Sequence, residues 1–244
     1  MRLTLFPMFS MVAVTLVMSP TTRVWACGVS GPDGVWSCSL AEHEEETRPR
    51  WNVGVAGAYT ATALRFTGAV RGDQRRAAVV VTAAYAPTPR LRLQASAGVG
   101  LAGELRMPNG VHQFSAGPTA SVGVGYRLFG DKPFLALTGV LSASTARTRR
   151  ENSDDAARYS AFDLRLGAAL GATFFDSLSP YALVRVFGGP VFWRYAGEAV
   201  TGTDVRHFQL GAGVAWLIVE RVNVFVEGVP LGERALSAGA SAVF

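Results

Sequence analysis

From Trp51 onward, apolar and polar residues alternate with a period of two instead of the period of 3.6 that helices require. The clearest stretch is 91–105, in which most odd positions are Leu, Val or Ala and the even positions carry Arg92, Glu104 and small polar residues. A helix would scatter these polar residues around its axis, whereas a strand places them on one face. The stretch therefore predicts a long β-strand with one apolar face.

The same alternation returns along the rest of the chain and predicts about ten antiparallel strands, with eight or twelve as the alternatives. Besides 91–105, the strands are expected within residues 51–64, 76–86, 114–126, 134–146, 162–174, 181–193, 208–216, 222–229 and 235–244. Their connections alternate between short turns and long polar loops. The short turns are residues 87–90, 130–133, 176–180 and 219–221. This asymmetry predicts an up-and-down sheet whose short and long connections lie at opposite ends.

The polar face of these strands consists mainly of Gly, Ser, Thr and Ala, and it has few charges for a surface that faces solvent. About ten residues tilted near 40° span roughly 25 Å, which is the height of the apolar band of a membrane barrel. Aromatic residues concentrate near both ends of the strands, as in membrane-interface belts. The pattern therefore favours an all-β, antiparallel, up-and-down transmembrane β-barrel with lipid outside and a polar lumen. A soluble periplasmic ligand-binding barrel is the alternative.

Composition adds a division of the chain into segments. Only 17% of the 244 residues are charged, and the formal net charge of +5 is too small to favour a nucleic-acid partner. Arg2, an apolar run and a small residue at Ala26 follow the order of a secretory signal peptide. We therefore expect a signal peptide over residues 1–26, a periplasmic lead-in over 27–50 and the barrel over 51–244.

Both cysteines, Cys27 and Cys38, follow the predicted cleavage site. In an oxidising compartment, two cysteines so close in sequence favour a disulfide. The alternative is a lipidated Cys27, which the neighbouring Arg23 and Trp25 fit poorly. Three histidines and two cysteines are too few and too badly spaced to predict a metal site, and no cofactor is expected.

The last ten residues form an alternating strand that ends on an aromatic residue. One of its faces carries Leu236, Ala238, Ala240, Ala242 and Phe244. With this strand, residues 51–244 resemble small Gram-negative outer-membrane β-barrel proteins, such as those of the OmpA and OmpW kinds, although Ala is smaller than usual at three positions. The resemblance implies a monomer in the cell outer membrane that contacts outer-membrane lipids. It also implies that the barrel-assembly machinery recognises this strand. Closure of the barrel would pair it with the first strand.

The inward-facing set carries most of the candidate chemistry. It comprises Arg92, Glu104, Arg127, Asp163, Arg165, Arg185, Gln209, Asn223 and Glu227. Charged groups inside a low-dielectric wall must be paired or hydrated, and Arg suits bidentate pairing with carboxylates, so we expect a lumenal polar network. Eight strands leave room only for side chains, and ten make a slightly wider barrel. The predicted function is therefore structural, or that of a narrow, porin-like passive pore.

Two further features lie at the long-loop end. His112 and His207 lie there with Ser115 and Asp204 close in sequence, which makes an outer-rim lipid or peptide hydrolase the alternative function. Strand periodicity places His112 and Ser115 on opposite faces, so no catalytic activity is expected. Arginines of the first and third long loops suit lipopolysaccharide phosphates, and pairing with loop acids is the alternative. These residues are Arg71, Arg75, Arg76, Arg147, Arg149 and Arg150, with the acids Glu151, Asp154 and Asp155 in the third loop.

Overall fold

The structure is a computed structural model that describes residues 27–30, 35–38, 50–129, 133–151, 156–175, 177–195, 197–219 and 221–244. The predicted signal peptide and most of the predicted lead-in lie outside these ranges, so both stay predictions. Within the described ranges, no helix has the length and apolarity needed to cross a membrane.

The described residues form fifteen strands and one short 3₁₀ turn at Thr67–Ala69. The strands are β1 (Cys27–Ser30), β2 (Val35–Cys38), β3 (Arg50–Phe66), β4 (Arg71–Ala86), β5 (Leu91–Met107), β6 (Gly110–Phe114), β7 (Gly117–Phe129), β8 (Phe134–Arg150), β9 (Ala156–Gly171), β10 (Leu178–Gly188), β11 (Val191–Tyr195), β12 (Glu198–Asp204), β13 (Phe208–Val219), β14 (Val222–Gly232) and β15 (Arg234–Val243).

Strands β1 and β2 form a separate antiparallel pair in which Cys27 lies opposite Cys38. Directly opposed residues of antiparallel strands have Cα atoms about 4.5–5.5 Å apart, which is within the range that a disulfide bridges. The backbone register therefore suits the predicted disulfide. The cysteine side chains lie outside what the structure describes, so the disulfide stays a prediction.

The remaining strands pair antiparallel with their neighbours and close into a barrel. The last strand pairs with the first barrel strand, from Arg234 opposite Ala61 to Val243 opposite Asn52. Beyond this register the backbone N–H of Phe244 donates to the carbonyl of Trp51 at 2.9 Å. The predicted up-and-down barrel of about ten strands, with its terminal strand paired to the first, is confirmed. The ring consists of β3, β4, β5, β7, β8, β9, β10, β13, β14 and β15.

The ring narrows to eight strands at the end that carries the long connections. The hairpin between β14 and β15 ends near Gly232, and beyond it β12 pairs with β3, with Gly202 opposite Phe66 and Asp204 opposite Leu64. This smaller ring consists of β3, β4, β5, β6, β8, β9, β11 and β12. We call the ten-stranded part the body and the eight-stranded part the neck.

Gly232 allows the hairpin to end at this level. Its backbone φ is +89°, a conformation that residues with a Cβ rarely adopt. A Cβ at this position would also lie 1.7 Å from the carbonyl oxygen of Phe208 on the neighbouring strand. A glycine is therefore required both for the turn and for the close approach of β13.

Body and neck have opposite polarity. In the body, large apolar side chains such as Val55, Leu166 and Leu236 are exposed on the outside of the barrel, and most inward side chains are small or polar, apart from one apolar cluster near the short-turn end. In the neck, the inside is apolar and the outside is charged. Leu64 and Trp193 are buried there, and the residues that follow them on the same strands are exposed arginines. This inversion is expected where a strand passes from lipid into water.

On β5 the inversion coincides with an irregularity in the ladder. Arg76 lies opposite Gly103 and Ala78 opposite Gly100, so the segment between the two pairs has one residue on β4 and two on β5. The extra residue is a β-bulge, and it moves every later side chain of β5 to the other face. Leu105 is consequently fully buried inside the neck.

The expected lumenal position of Glu104 is wrong for the same reason. Glu104 lies on the outer face, where its carboxylate is 3.7 Å from Arg75 and 3.0 Å from Arg106. A second interruption of the alternation follows Phe114, between β6 and β7. Because of it, the Phe114 side chain points into the barrel, although unbroken alternation would place it outside. Uninterrupted periodicity therefore misassigns the outer ends of these two strands.

Candidate functional site: a polar network inside the barrel

Eight of the nine residues expected in the lumen point into the barrel. Arg92, Arg127, Arg185, Gln209, Asn223 and Glu227 are buried, and Asp163 and Arg165 are mostly buried. Five of them lie in one connected network, which is described below. Arg92, Arg127 and Asn223 lie nearer the short-turn end, opposite Gly125, Ala136 and Ser241 on neighbouring strands.

The central ion pair joins Arg185 on β10 to Glu227 on β14. Arg185 Nη2 donates to both carboxylate oxygens of Glu227, at 2.9 and 3.0 Å, and Tyr181 donates its hydroxyl to Glu227 Oε2 at 3.1 Å. The exposed fractions of Arg185 and Glu227 are 2% and 3%. A charge with so little access to water is stable only with hydrogen-bonded partners, and this carboxylate accepts three hydrogen bonds from two donor groups.

A chain of hydrogen bonds extends from this pair along the barrel interior. Arg185 Nη1 lies 3.5 Å from the Gln209 carbonyl, and Gln209 Nε2 donates to Glu233 Oε2 at 2.7 Å. Glu233 also pairs with Arg165 Nη2 at 3.1 Å, and Arg165 Nε donates to Asp163. Two arginines and three carboxylates are thus linked through a single fully buried glutamine, which joins them without adding charge.

A cavity of about 190 Å³ lies beside the network, which is room for about six water molecules. Its lining includes Thr60, Ser96, Ser121, Ser142 and Ser144. Asp204 enters it from β12 and accepts a hydrogen bond from Thr62 at 3.1 Å. Arg76 enters from β4 and stacks on Phe114, with 5.3 Å between the guanidinium carbon and the ring centre. The cavity is therefore hydrophilic and lined by charges of both signs.

Apolar packing fills the neck above this cavity. Phe114 meets Tyr159 edge to face at 4.9 Å between ring centres, and His112 meets Trp193 in the same way at 4.9 Å. The polar atoms of the larger rings are paired, because Tyr159 donates to Gln74 Oε1 at 2.6 Å and Trp193 Nε1 donates to Thr148 Oγ1 at 2.8 Å. The rest of this cluster is Leu64, Phe66, Leu105, Met107, Ala146 and Val191.

An eight-stranded barrel is just wide enough for its own side chains to fill. Each fully buried Leu or Phe of the neck contributes about 1.5–3 kcal/mol relative to an exposed one. The neck therefore separates the polar cavity from the outer end of the barrel. Below the network, a second apolar cluster that includes Phe134, Leu183 and Phe225 also occupies the interior.

The two rim histidines do not form the arrangement expected of a hydrolase. His112 is buried inside the neck against Trp193. Ser115 is exposed, and its hydroxyl donates to the carbonyl of Arg147 at 3.2 Å. His207 is exposed and its Nδ1 lies 3.2 Å from the carbonyl of Phe187. Among the described residues, no group of three or more His, Cys, Asp or Glu side chains is placed to hold a metal ion.

Sequence reasoning missed three members of the site. Glu233 falls in a segment expected to be a loop, because the tight hairpin at Gly232 carries no Asn-Gly or similar turn signal. Tyr181 is one of the aromatic residues near a strand end, which were expected to form an interface belt. It lies four residues before Arg185 on the same strand, so both side chains point to the inward face. Arg76 was expected in an outer loop, yet strand β4 begins five residues earlier.

The C-terminal residues expected to signal assembly lie on the outside of the barrel. Leu236 and Phe244 are exposed, and Ala238, Ala240 and Ala242 share their face of β15. Ser237 and Ser241 are buried on the inner face. Recognition of this strand by the assembly machinery stays a prediction.

No protein-family model matches the chain, and no curated protein matches its sequence. Solved structures do match its fold. The outer membrane protease OmpT from Escherichia coli has a TM-score of 0.53 at 10% identity, covering 80% of this chain and 96% of that one. The β domain of the Bordetella autotransporter BrkA has a TM-score of 0.47 at 14% identity, covering 81% and 100%. OprG from Pseudomonas aeruginosa has 0.42 at 7%, covering 80% and 95%. The first of these likenesses, together with the closed antiparallel ring, shows that the chain has the fold of an outer-membrane β-barrel.

Proposed function

We propose that the protein is an integral outer-membrane barrel that is exported through its N-terminal signal peptide and has a structural, non-conducting role. Its outer surface supports the membrane location. On β3, Trp51 and Tyr59 lie at the two ends of the exposed apolar face. On β13, Phe208 and Trp216 lie at the two ends of the corresponding face. Eight residues at about 3.3 Å each, tilted near 40°, span roughly 20 Å, close to the apolar band of membrane barrels. A soluble periplasmic barrel would expose this band to water.

The filled neck is the observation that favours a sealed barrel over a narrow passive pore. A pore needs a continuous hydrated path, whereas the apolar cluster around Trp193, Tyr159 and Phe114 occupies the eight-stranded ring. The charged network below adds a second obstacle, because its carboxylates are already paired with arginines and are unavailable as sites for a passing ion.

A hydrolase is the alternative, and one of the proteins with a similar fold, OmpT, is an outer membrane protease. The fold alone carries no activity, which resides in specific side chains. Here His112 and Ser115 lie on opposite faces of the barrel wall, and Asp204 lies beneath the neck cluster. A substrate outside the cell would not reach that carboxylate.

Conductance in planar bilayers tests the proposal, together with fractionation and heat-modifiable gel mobility to establish insertion. We expect the purified barrel to give no steps above the bare bilayer. The double variant Phe114→Ala/Trp193→Ala removes two rings from the neck and should produce measurable conductance. The control is Phe175→Ala, because Phe175 is an aromatic exposed at the short-turn end. Stable conductance steps from the unaltered protein would contradict a sealed barrel.

A further inference from the structure

Three neighbouring strands present arginines on the outer face of the neck. Arg147 on β8 lies directly opposite Arg158 on β9. On the other side of β9, Trp193 of β11 lies opposite Tyr159. Their sequence neighbours Arg194 and Arg158 are therefore close to each other on the outer face. All three side chains are exposed and lie on the outward faces of their strands. We call Arg147, Arg158 and Arg194 the arginine patch.

The patch is electrostatically unfavourable by itself. Directly opposed residues of antiparallel strands have Cβ atoms about 4.5–5.5 Å apart, and like charges at that distance destabilise the pair. Among the residues that the structure describes, none of the three arginines has a carboxylate within 4.0 Å. Elsewhere on the same outer face, Arg75 and Arg106 share Glu104. A negative charge from outside the described residues would therefore stabilise the patch.

The height of the patch indicates which source. Phe162 and Phe192 form an exposed edge-to-face pair on β9 and β11, with 6.2 Å between ring centres. Arg158 lies four residues beyond Phe162, and Arg194 lies two residues beyond Phe192, on the side away from the body. At about 2.5 Å of height per tilted residue, the guanidinium groups start roughly 5–10 Å above the aromatic rings. That is the level of lipid headgroups when the rings lie at the membrane interface.

We propose that the arginine patch binds the phosphate groups of a phosphorylated lipid headgroup in the outer leaflet. The inference rests on the membrane location proposed above and names the lipid chemistry that this face recognises. Guanidinium groups bind phosphate through parallel hydrogen bonds, and two of them on opposed positions match a doubly charged phosphate monoester. The aromatic pair below would contact the acyl chains of the same lipid.

This site differs from the loop arginines expected from the sequence. Arg76 points into the barrel, and Arg75 is paired with Glu104. Arg150 donates to the carbonyl of Asn109 at 2.7 Å. Of the six loop arginines, only Arg147 belongs to the patch. Its partners come from β9 and β11, which a loop-by-loop reading does not bring together.

Acids of the connection after β8 are the competing source of counter-charge. Glu151 lies four residues beyond Arg147, and Asp154 and Asp155 lie outside the described residues. If these acids neutralise the patch, lipid phosphates gain nothing from it. The experiment below separates the two sources.

Native mass spectrometry of the full chain in detergent measures retention of added diphosphoryl lipid A and of the same lipid without phosphates. The test variant is Arg147→Gln/Arg158→Gln, which keeps length and polarity. The matched control is Arg90→Gln/Arg221→Gln, because these arginines are also exposed but lie at the short-turn end. Heat-modifiable mobility verifies folding of each variant. Inorganic phosphate as a competitor distinguishes a lipid site from a general phosphate site.

We expect the unaltered protein to bind the diphosphorylated lipid at least about tenfold more tightly than the lipid without phosphates, because charge-assisted hydrogen bonds are lost with the phosphates. The patch variant should lose this preference, and the control should keep it. Equal binding of both lipids by the unaltered protein, equal loss in both variants, or displacement by inorganic phosphate would overturn the proposal. A conducting barrel would refute the sealed lumen but leave these results unaffected, so the two failures are distinguishable.

Discussion

Replacement of Glu227 by glutamine tests the energetic role of the buried network. The substitution keeps the shape of the side chain and one acceptor oxygen but removes the charge that faces Arg185. Both residues have at most 3% exposure, so water does not compensate Arg185 for the loss of the Glu227 charge. Removing one partner of a buried ion pair costs about 3–5 kcal/mol, and the retained acceptor favours the lower end. We therefore expect Glu227→Gln to lower the free energy of unfolding by about 3 kcal/mol.

Glu104→Gln is the matched control, because Glu104 is also paired with arginine, here Arg75 and Arg106, but on the outer surface of the neck. Exposed pairs contribute about 0–1 kcal/mol, so the two substitutions should differ by about 2 kcal/mol or more. Urea unfolding of the vesicle-inserted barrel measures both values. The double variant Arg185→Met/Glu227→Leu should cost less than Glu227→Gln alone, since it removes both buried charges together. Equal losses for Glu227→Gln and Glu104→Gln would show that the lumen is hydrated and would refute the reasoning.

Three other outcomes follow from the fold. Deletion of Phe244 removes the terminal backbone bonds to Trp51 and one exposed aromatic ring, so membrane levels of the protein should fall; unchanged levels on immunoblots would contradict this. Gly232→Ala introduces a Cβ at positive φ and 1.7 Å from a carbonyl oxygen, so heat-modified mobility should shift at a lower temperature, and an unchanged shift would count against the hairpin geometry. The protein should carry no free thiol under non-reducing conditions; maleimide labelling without reductant would exclude the Cys27–Cys38 disulfide.

Alternation along the chain was sufficient to predict the body of the barrel. In strands β8, β9 and β13, inward and outward side chains alternate without interruption from end to end. Arg165, Gln209 and Asp163 therefore point inward, as the alternation predicts. The pairing of β15 with β3 also follows from closure, since an up-and-down barrel has no other partner for its last strand. These features depend only on local periodicity and on connectivity.

The neck was not predictable in the same way. The bulge on β5 moves Glu104 outward and Leu105 inward. Gly103 lies beside it, but Gly98 and Gly100 on the same strand keep a regular register, so glycine alone does not mark the bulge. The neck also depends on a pairing between β12 and β3, which are more than 130 residues apart and are brought together only because the β14–β15 hairpin is short. Such an arrangement is a property of the tertiary structure and has no local signature.

The inversion of polarity connects the fold to the proposed role. Below it, exposed apolar side chains favour lipid and the polar interior is held by ion pairs. Above it, Trp193 and its neighbours form an apolar core like that of a soluble barrel, with arginines outside. Under the proposed function, this one change in polarity would set the level of the barrel in the membrane, close its outer end and bring the arginine patch to the headgroup level.

Spin-label accessibility along β5 tests this inversion most directly. In a background with Cys27→Ser and Cys38→Ser, single labels are placed by Val99→Cys, Glu104→Cys and Leu105→Cys in the vesicle-inserted protein. The structure predicts that label 99 collides with lipid-dissolved oxygen, label 104 with a water-soluble nickel complex, and label 105 with neither, because these side chains face lipid, water and the neck core. Oxygen access at 105 with protection at 104 would mean that alternation runs unbroken through β5, and would contradict the sealed neck.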